Sequence, residues 1–418
     1  MKFKTISVIG LGYIGLPTAA AFASRKVEVI GVDVNQDAVD IINQGKIHIV
    51  EPDLDIAVQS AVNAGYLRAT TTPEPADAFL IAVPTPFKGD HEPDLAYIES
   101  ATKAIAPVLK EGDLVILEST SPVGTTEKMA EWISEIRSDL VPAPFDANTP
   151  QLNIKIAHCP ERVLPGHVMR ELIENDRVIG GLTSECSQAS VELYKIFVQG
   201  DCIITNARTA EMAKLTENSF RDVNIAFANE LSLICDKLDI NVWELIQLAN
   251  LHPRVNILQP GPGVGGHCIA VDPWFIVDKT PKEARLIHVA RQVNDNKPNW
   301  VVNRTKQAIN EYLLEKPEKS LENIVIACYG LAFKPDIDDL RESPALLIAE
   351  SIVATYSNTI IVEPSVNILP DSLREAKLSE FDFATKIADI HLLLVDHSIF
   401  KLKKPTSGVI IDTRGIWT

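Results

Sequence analysis

The stretch Gly261-Pro262-Gly263-Val264-Gly265-Gly266-His267-Cys268-Ile269-Ala270-Val271-Asp272-Pro273 sets a thiol on backbone that can be neither a regular helix nor a central strand. Its glycines permit unusual φ/ψ values and its prolines remove donors, so the spacing predicts a tight loop bearing Cys268. Two readings are open for such a cysteine: a nucleophile offered to a ligand, or a small apolar side chain tucked into a core. Upstream, Thr209 to Asp236 has helical periodicity and no Gly or Pro, with Met212, Leu215, Ile225, Phe227, Leu231 and Ile234 among its apolar positions. Lys214, Asn218 and Arg221 fall at i, i+4 and i+7 of that segment, one above another on one face. On an exposed helix the stripe is a solvation face; on a largely buried one, two cations and an amide call for an anionic or polar guest. His252-Pro253-Arg254-Val255-Asn256, just before the glycine loop, adds another cation.

Such groups need rigid elements beneath them. The chain starts with an apolar strand, Thr5 to Ile9, running into Gly10-Leu11-Gly12-Tyr13-Ile14-Gly15-Leu16-Pro17 and an Ala-rich segment. In a strand-turn-helix of this G-x-G-x-x-G form, Gly10 permits the sharp turn, Gly12 lets backbone approach a pyrophosphate, and Gly15 lets the helix pack on the strand. Pyrophosphate then sits on the free amides of the helix start. A second strand, Val27 to Val32, ends in Asp33, whose carboxylate suits ribose hydroxyls and repels a 2′-phosphate, so NAD is expected rather than NADP. Phe79 to Val83 and Leu114 to Glu118 are short apolar strands that end in Pro84-Thr85-Pro86 and in Ser119 to Thr126. Loops at carboxyl ends of such strands border the ligand crevice, which makes Thr85, Thr120 and Thr126 candidate cofactor contacts; helix caps and turns are the other common use of these residues.

Pro142 to Pro150 reads as a surface loop, and Ile154 to Ala157 as a strand leading into His158-Cys159-Pro160-Glu161-Arg162-Val163-Leu164-Pro165-Gly166. Beyond the thiol loop, Ala284 to Asn296 and Trp300 to Leu314 read as two helices, followed by a polar linker from Glu315 to Glu322. Strand-like runs then return at Asn323 to Tyr329, Thr359 to Val362, His391 to Val395 and Val409 to Ile411. They predict a second open α/β domain without the G-x-G-x-x-G turn, for a different ligand or half of one.

At 418 residues the chain exceeds one ordinary core, and 46% hydrophobic with 23% charged residues is a soluble globular composition. A net charge of −17 argues against a nucleic-acid partner while leaving room for a local basic pocket. No apolar run approaches the roughly 20 residues of a membrane helix, and Met1 to Thr5 leads straight into a strand, so neither a membrane span nor a signal peptide is expected. Six scattered cysteines show neither CxxC pairs nor zinc spacing, so no metal site and a reduced, cytoplasmic setting are expected.

Strand-GLGYIGLP, STSPVG, CPERVLPG, AEMAKLTENSFRDVNIAFANE, PGPGVGGHCIAVDP and GLAFKPDIDDLRESPA together resemble the blocks of the UDP-glucose/GDP-mannose dehydrogenase family, in family order. The resemblance implies two Rossmann-like doubly wound domains joined by a long central helix and a helical middle domain. In this chain that gives an NAD-binding domain at 1–205, a central helical dimerisation domain with the catalytic loop at 206–314, and a UDP-sugar-binding α/β domain at 315–418. It implies a homodimer through the central helix. By motif it makes Cys268 the nucleophile, with Lys214, Asn218, Asp272, Thr120 and Glu161 as the other catalytic positions. Substrate positions are Arg162, Val163, Lys214, Asn218, Arg221, His252, Arg254, Gly265 and Lys334; cofactor positions are Gly10, Gly12, Tyr13, Ile14, Gly15, Asp33, Thr85, Thr120, Thr126 and Arg341. The substrate implied is a UDP-N-acetylhexosamine, UDP-N-acetyl-D-mannosamine first, with UDP-N-acetylglucosamine or UDP-glucose as alternatives. UDP-glucose dehydrogenases carry a second glutamate where Pro165 stands here, which counts against UDP-glucose and bears on the part of Glu161 in hydrolysis. A non-catalytic nucleotide-binding module is the reading from a different class, and the intact thiol loop counts against it.

Oxidising a primary alcohol to a carboxylate removes four electrons and NAD accepts two, so the site must hold the half-oxidised sugar between two hydride transfers. A thiol does this by adding to the aldehyde; the thiohemiacetal yields its hydride to form a thioester that water cleaves. Negative charge gathers on the sugar C6 oxygen at each stage, where Lys214 and Asn218 would act as donors. Asp272, with Thr120 and a water, is the expected acid/base, with Lys214 able to share that part. Arg221, Arg254 and Lys334 would neutralise the diphosphate.

Overall fold

The computed structural model describes residues 3–89, 91–148, 150–164, 166–266 and 268–417; Pro165 and His267, which belong to two of the motifs, lie outside the described residues. The chain divides into two compact units, Met1–Glu217 with Trp274–Thr280, and Asn218–Pro273 with Pro281–Thr418.

In the first unit, apolar runs bounded by glycine and turn residues become strands, the central ones buried on both faces. These are β1 (Thr5–Ile9), β2 (Glu28–Val32), β3 (Leu67–Thr70) and β4 (Ala78–Ile81), then a two-residue hairpin of β5 (Phe87–Lys88) and β6 (Glu92–Pro93). They continue as β7 (Leu114–Leu117), β8 (Lys155–His158), β9 (Arg177–Gly181) and β10 (Cys202–Asn206). Eight of them form one sheet in the order β10-β9-β8-β7-β4-β1-β2-β3, parallel except for β8 against β9. Alternate residues feed two separate cores: Leu114 and Ile116 point into one, Val115 and Leu117 into the other. The order reverses at β1, which lies between β2 and β4, and the crevice at the carboxyl ends of such a switch point is where ligands bind.

In the second unit β11 (Ile326–Tyr329), β12 (Thr359–Val362), β13 (Lys377–Leu378), β14 (Ile390–Leu393) and β15 (Val409–Asp412) pair in the order β13-β12-β11-β14-β15, all parallel. The turn after β11 repeats the one after β1. Gly330 N–H donates to Val362 O as Gly10 N–H donates to Val32 O, both at 2.8 Å. The next amide, Leu331 or Leu11, donates to the acid that ends the second strand, Glu363 at 2.7 Å or Asp33 at 2.9 Å. Both sheets are thus Rossmann-like, and the C-terminal one differs in that His397, fully buried, covers its acid at 3.2 Å.

The helical segment expected from Thr209 to Asp236 is a 32-residue helix, Ala207–Leu238. The two helices expected on either side of Lys297 are one 31-residue helix, Arg285–Glu315, with Pro298 inside it. Proline forfeits one helical hydrogen bond, but Asn294, Lys297, Val301 and Val302 on both sides of it are buried, and burial of that continuous face outweighs the local penalty.

Candidate active site

The turn after β1 has the form its glycines predict. Gly10 adopts φ +91°, and a Cβ on Gly15 would stand 1.7 Å from Gly10 O, so no side chain fits there. A Cβ on Gly12 would meet nothing within 4 Å, leaving that amide approachable, as a pyrophosphate requires. Tyr13 is exposed and Ile14 half-buried beside it. Asp33 is half-buried; its Oδ2 accepts from Leu11 N–H and its Oδ1 from Asn35 N–H, both at 2.9 Å. The acid is oriented while an edge remains accessible to a ribose. These residues fit NAD. Thr85 and Thr120 lie in the loops after β4 and β7, both half-buried.

Thr126 departs from expectation. It is fully buried, and its hydroxyl donates at 2.6 Å to Glu211 of the long helix, which also accepts from the Thr126 and Gly124 amides at 2.8 and 2.6 Å. A protein carboxylate therefore caps the Thr125–Ile136 helix, a place otherwise suited to an external anion. Only the contact reveals this, because Glu211 reads in sequence as an ordinary helical glutamate.

Glu161 also differs from a freely placed base. It is buried, with Oε2 on Arg177 Nη1 at 2.8 Å and Oε1 accepting the Arg162 amide at 2.6 Å. The Arg177 guanidinium lies over the Tyr194 ring, 4.9 Å from its centroid, and the Tyr194 hydroxyl donates to Glu118 at 2.6 Å. Burial pushes the Glu118 carboxyl up to about 7, the Cys159 thiol up to about 12, and the His158 imidazole down to about 3. Cys159 is therefore an inert core thiol. Removing one partner of a buried pair strands the other charge, so Arg177→Leu is expected to lose about 3–5 kcal/mol of stability. A lower urea midpoint at unchanged slope would show it. The motif also ties to the long helix: the Arg162 guanidinium pairs with Glu217 at 2.6 Å, three residues beyond half-buried Lys214. Val163 packs on the core of the NAD-type sheet.

In the second unit the glycine loop lies against the segment after β11. A Cβ on Gly265 would stand 2.4 Å from Glu342 O, and one on Gly266, at φ +83°, 2.9 Å from the Phe333 ring. The close approach excludes side chains at both positions. Cys268 is exposed, and its carbonyl accepts the Val271 and Asp272 amides at 3.1 and 2.9 Å, a turn that leads into the Asp272–Lys279 helix. Asp272 is buried and accepts from Asn218 Nδ2 at 2.5 Å. The structure thus brings together two residues that the sequence placed 54 positions apart. Arg221, His252, Arg254 and Lys334 are exposed, so Arg221 does not share the burial of Asn218 on the helix face. Arg341 is exposed and held on Asp339 by two bonds of 2.8 and 2.6 Å. A small cleft at the carboxyl ends of β11, β14 and β15 is lined by Pro262, Gly263, Phe333, Asp396 and Arg414. Arg414, fixed on Asp396 at 2.7 Å, is a cation that no motif had singled out.

Three models of the UDP-glucose/GDP-mannose dehydrogenase family match the chain: the NAD binding domain at 4–198, the central domain at 208–296 and the UDP binding domain at 327–418. UDP-N-acetyl-D-mannosamine dehydrogenase of Escherichia coli K12 is 64% identical over 422 aligned positions, covering 100% of both chains. NDP-N-acetyl-D-galactosaminuronic acid dehydrogenase of Ralstonia solanacearum is 63% identical, covering 100% of this chain and 97% of its own. Among solved structures, the UDP-N-acetyl-mannosamine dehydrogenase Cap5O of Staphylococcus aureus is 42% identical with TM-score 0.83, covering 99% of this chain and 95% of its own.

Proposed function

We propose, for a chain that belongs to the UDP-glucose/GDP-mannose dehydrogenase family, that it oxidises UDP-N-acetyl-D-mannosamine to UDP-N-acetyl-D-mannosaminuronate, consuming two NAD and one water and releasing three protons. The observation that carries the reading is an exposed Cys268 on a glycine loop, joined through Asp272 to the Asn218 amide, in a chain alike end to end with an enzyme named for that sugar. NAD, when bound, accepts the hydride at each oxidation. The chain's own residues hold everything else. Cys268 sulfur bonds to the aldehyde carbon and leaves as thiolate when water cleaves the thioester; Lys214 and Asn218 bind the C6 oxygen while it is charged. Asp272 takes the proton from the C6 hydroxyl and from the hydrolytic water, aided by Thr120. We assign that step to Asp272 because Arg177 and the Arg162 amide already engage both oxygens of Glu161; Glu161 orders the loop that presents Arg162 and Val163. Arg221, His252, Arg254, Gly265 and Lys334 receive the UDP-sugar, and Tyr13, Ile14, Asp33, Thr85 and Arg341 with the first glycine turn receive NAD.

A second reading has specific support: the Ralstonia relative, equally similar, is named for an N-acetyl-D-galactosaminuronic acid. A panel of UDP-sugars, N-acetylmannosamine, N-acetylgalactosamine, N-acetylglucosamine and glucose, assayed by NADH release decides between them. Two NADH per sugar with the highest kcat/KM on UDP-N-acetyl-D-mannosamine is expected; a higher value on another sugar overturns the assignment.

We further propose the division into 1–205, 206–314 and 315–418, a cytoplasmic location, a product destined for surface polysaccharide such as enterobacterial common antigen, and a homodimer through the long helix. Among the described residues no helix is long and apolar enough to cross a membrane. The dimer is supported by Phe220, Phe227, Ile234 and Leu238, 69, 50, 44 and 61% exposed, which recur at near-heptad spacing along one stripe of that helix. The double variant Phe220→Glu with Phe227→Glu is expected to sediment as a monomer at concentrations where the wild-type chain is a dimer; a variant that stays dimeric places the interface elsewhere.

A further inference from the structure

The Ala207–Leu238 helix holds the thiol loop at both ends. At the exit, Asn218 binds Asp272; at the entry, Asn229 Oδ1 accepts the Gly261 N–H at 2.9 Å. The two asparagines are eleven residues apart, roughly 16 Å along the helix at 1.5 Å per residue, so the loop that bears Cys268 is folded between two fixed points. Asn229 is fully buried and belongs to a chain of buried groups. Its Nδ2 donates to Asn294 Oδ1 at 2.9 Å, Asn294 Nδ2 donates to Asp222 Oδ1 at 2.8 Å and to Asp222 O at 3.1 Å, and Asp222 Oδ1 accepts from Arg291 Nη1 at 2.6 Å. Arg291 also pairs with Asp295.

The polarity of this chain is forced. The Gly261 N–H can only donate, so Asn229 must turn its oxygen to it and spend its amine elsewhere; the acceptor is then the Asn294 oxygen, whose amine must in turn find the Asp222 carboxylate, anchored by a guanidinium that can only donate. No group in the series can flip without leaving a buried donor facing a donor. A leucine would fill the same volume at lower polar cost, so the amide at 229 has a use beyond packing.

We propose that Asn229, oriented through Asn294 and Asp222 by Arg291, is a positioning residue that fixes the entry of the thiol loop and thereby the place of the Cys268 sulfur. This rests on Cys268 being the nucleophile. The test is Asn229→Ala in the full chain, with steady-state kinetics and, separately, the pH profile of iodoacetamide labelling of the Cys268 peptide read by mass spectrometry. A misplaced reacting group costs about 10²-fold, so kcat is expected to fall by about that factor. KM for NAD and for the UDP-sugar should stay within about twofold, because uniform binding is untouched, and the midpoint of the Cys268 labelling profile should move. A folded variant with wild-type kcat and an unmoved labelling profile overturns the proposal, as does a fall in kcat matched by a general rise in both KM values. If Asn229→Ala does not fold, Asn294→Ala, which keeps the Gly261 contact but removes the orienting group, is measured in the same way, and the same results support or overturn the proposal. Labelling of wild-type Cys268 that leaves turnover intact would instead sink the thiol chemistry, while the effect of residue 229 on the labelling profile is still read.

Discussion

Cys268→Ala is expected to stop carboxylate formation, with steady NADH release reduced on the order of 10⁴-fold or more, the scale on which loss of a covalent nucleophile registers. The reason is electron count. Without sulfur at position 268 the aldehyde has nothing to hold it for the second oxidation, so any NADH that forms comes from the first step alone, at most one per sugar where the intact protein gives two. Rapid-quench analysis separates the cases: an acid-stable sugar–protein adduct trapped on wild-type protein should be missing from the variant. Steady four-electron turnover by Cys268→Ala near the wild-type rate would remove the covalent scheme. The exposed position of Cys268 matters to this expectation, because Cys159, buried and pushed up to about 12, cannot take its place.

Lys214→Ala is expected to lower kcat by about 10²–10³-fold, the usual result of removing one donor to a developing oxyanion. Its KM for UDP-sugar should change far less, since the alcohol of the ground state carries no charge for the amine to stabilise. The same variant should slow both hydride transfers, seen as a reduced first phase and a reduced second phase of NADH formation in stopped-flow traces. A variant within tenfold of wild type in both phases would move the oxyanion contact to Asn218 and the backbone. The geometry makes substitution clean: Lys214 is half-buried one turn from Glu217, which Arg162 occupies at 2.6 Å, so among the described residues loss of the amine strands no paired carboxylate.

Much of the site could be read from residue order because its devices are local. Gly10, Gly12 and Gly15 mark a turn through φ and through space that a Cβ would fill, and Asp33 follows the second strand at the distance one βαβ unit sets. The strand runs at Leu114, Ile154, Thr359 and Val409 announce themselves by apolar content between turn residues. By contrast, β9 and β10 escaped notice. β10 is an edge strand whose Ile203 and Ile204 remain exposed, so it lacks the continuous burial that makes a central strand legible. Pro298 misled for a related reason, since its penalty is local while the face that overrides it is buried by distant chain.

The residue types alone determined the chemistry available: a cysteine on a glycine loop, a Lys-Asn stripe on a helix, and a dinucleotide turn with an acid that selects NAD. Folding decided which protein partner each candidate residue meets. Glu161 is locked on Arg177, Thr126 on Glu211, and Asn218 on Asp272. Those commitments, like the Asn229 chain beneath the loop, join positions between 16 and 85 residues apart. A buried polar group is stable only when its hydrogen bonds are met, and which group meets them is set by three-dimensional contact, a quantity that no periodicity or propensity along the chain records.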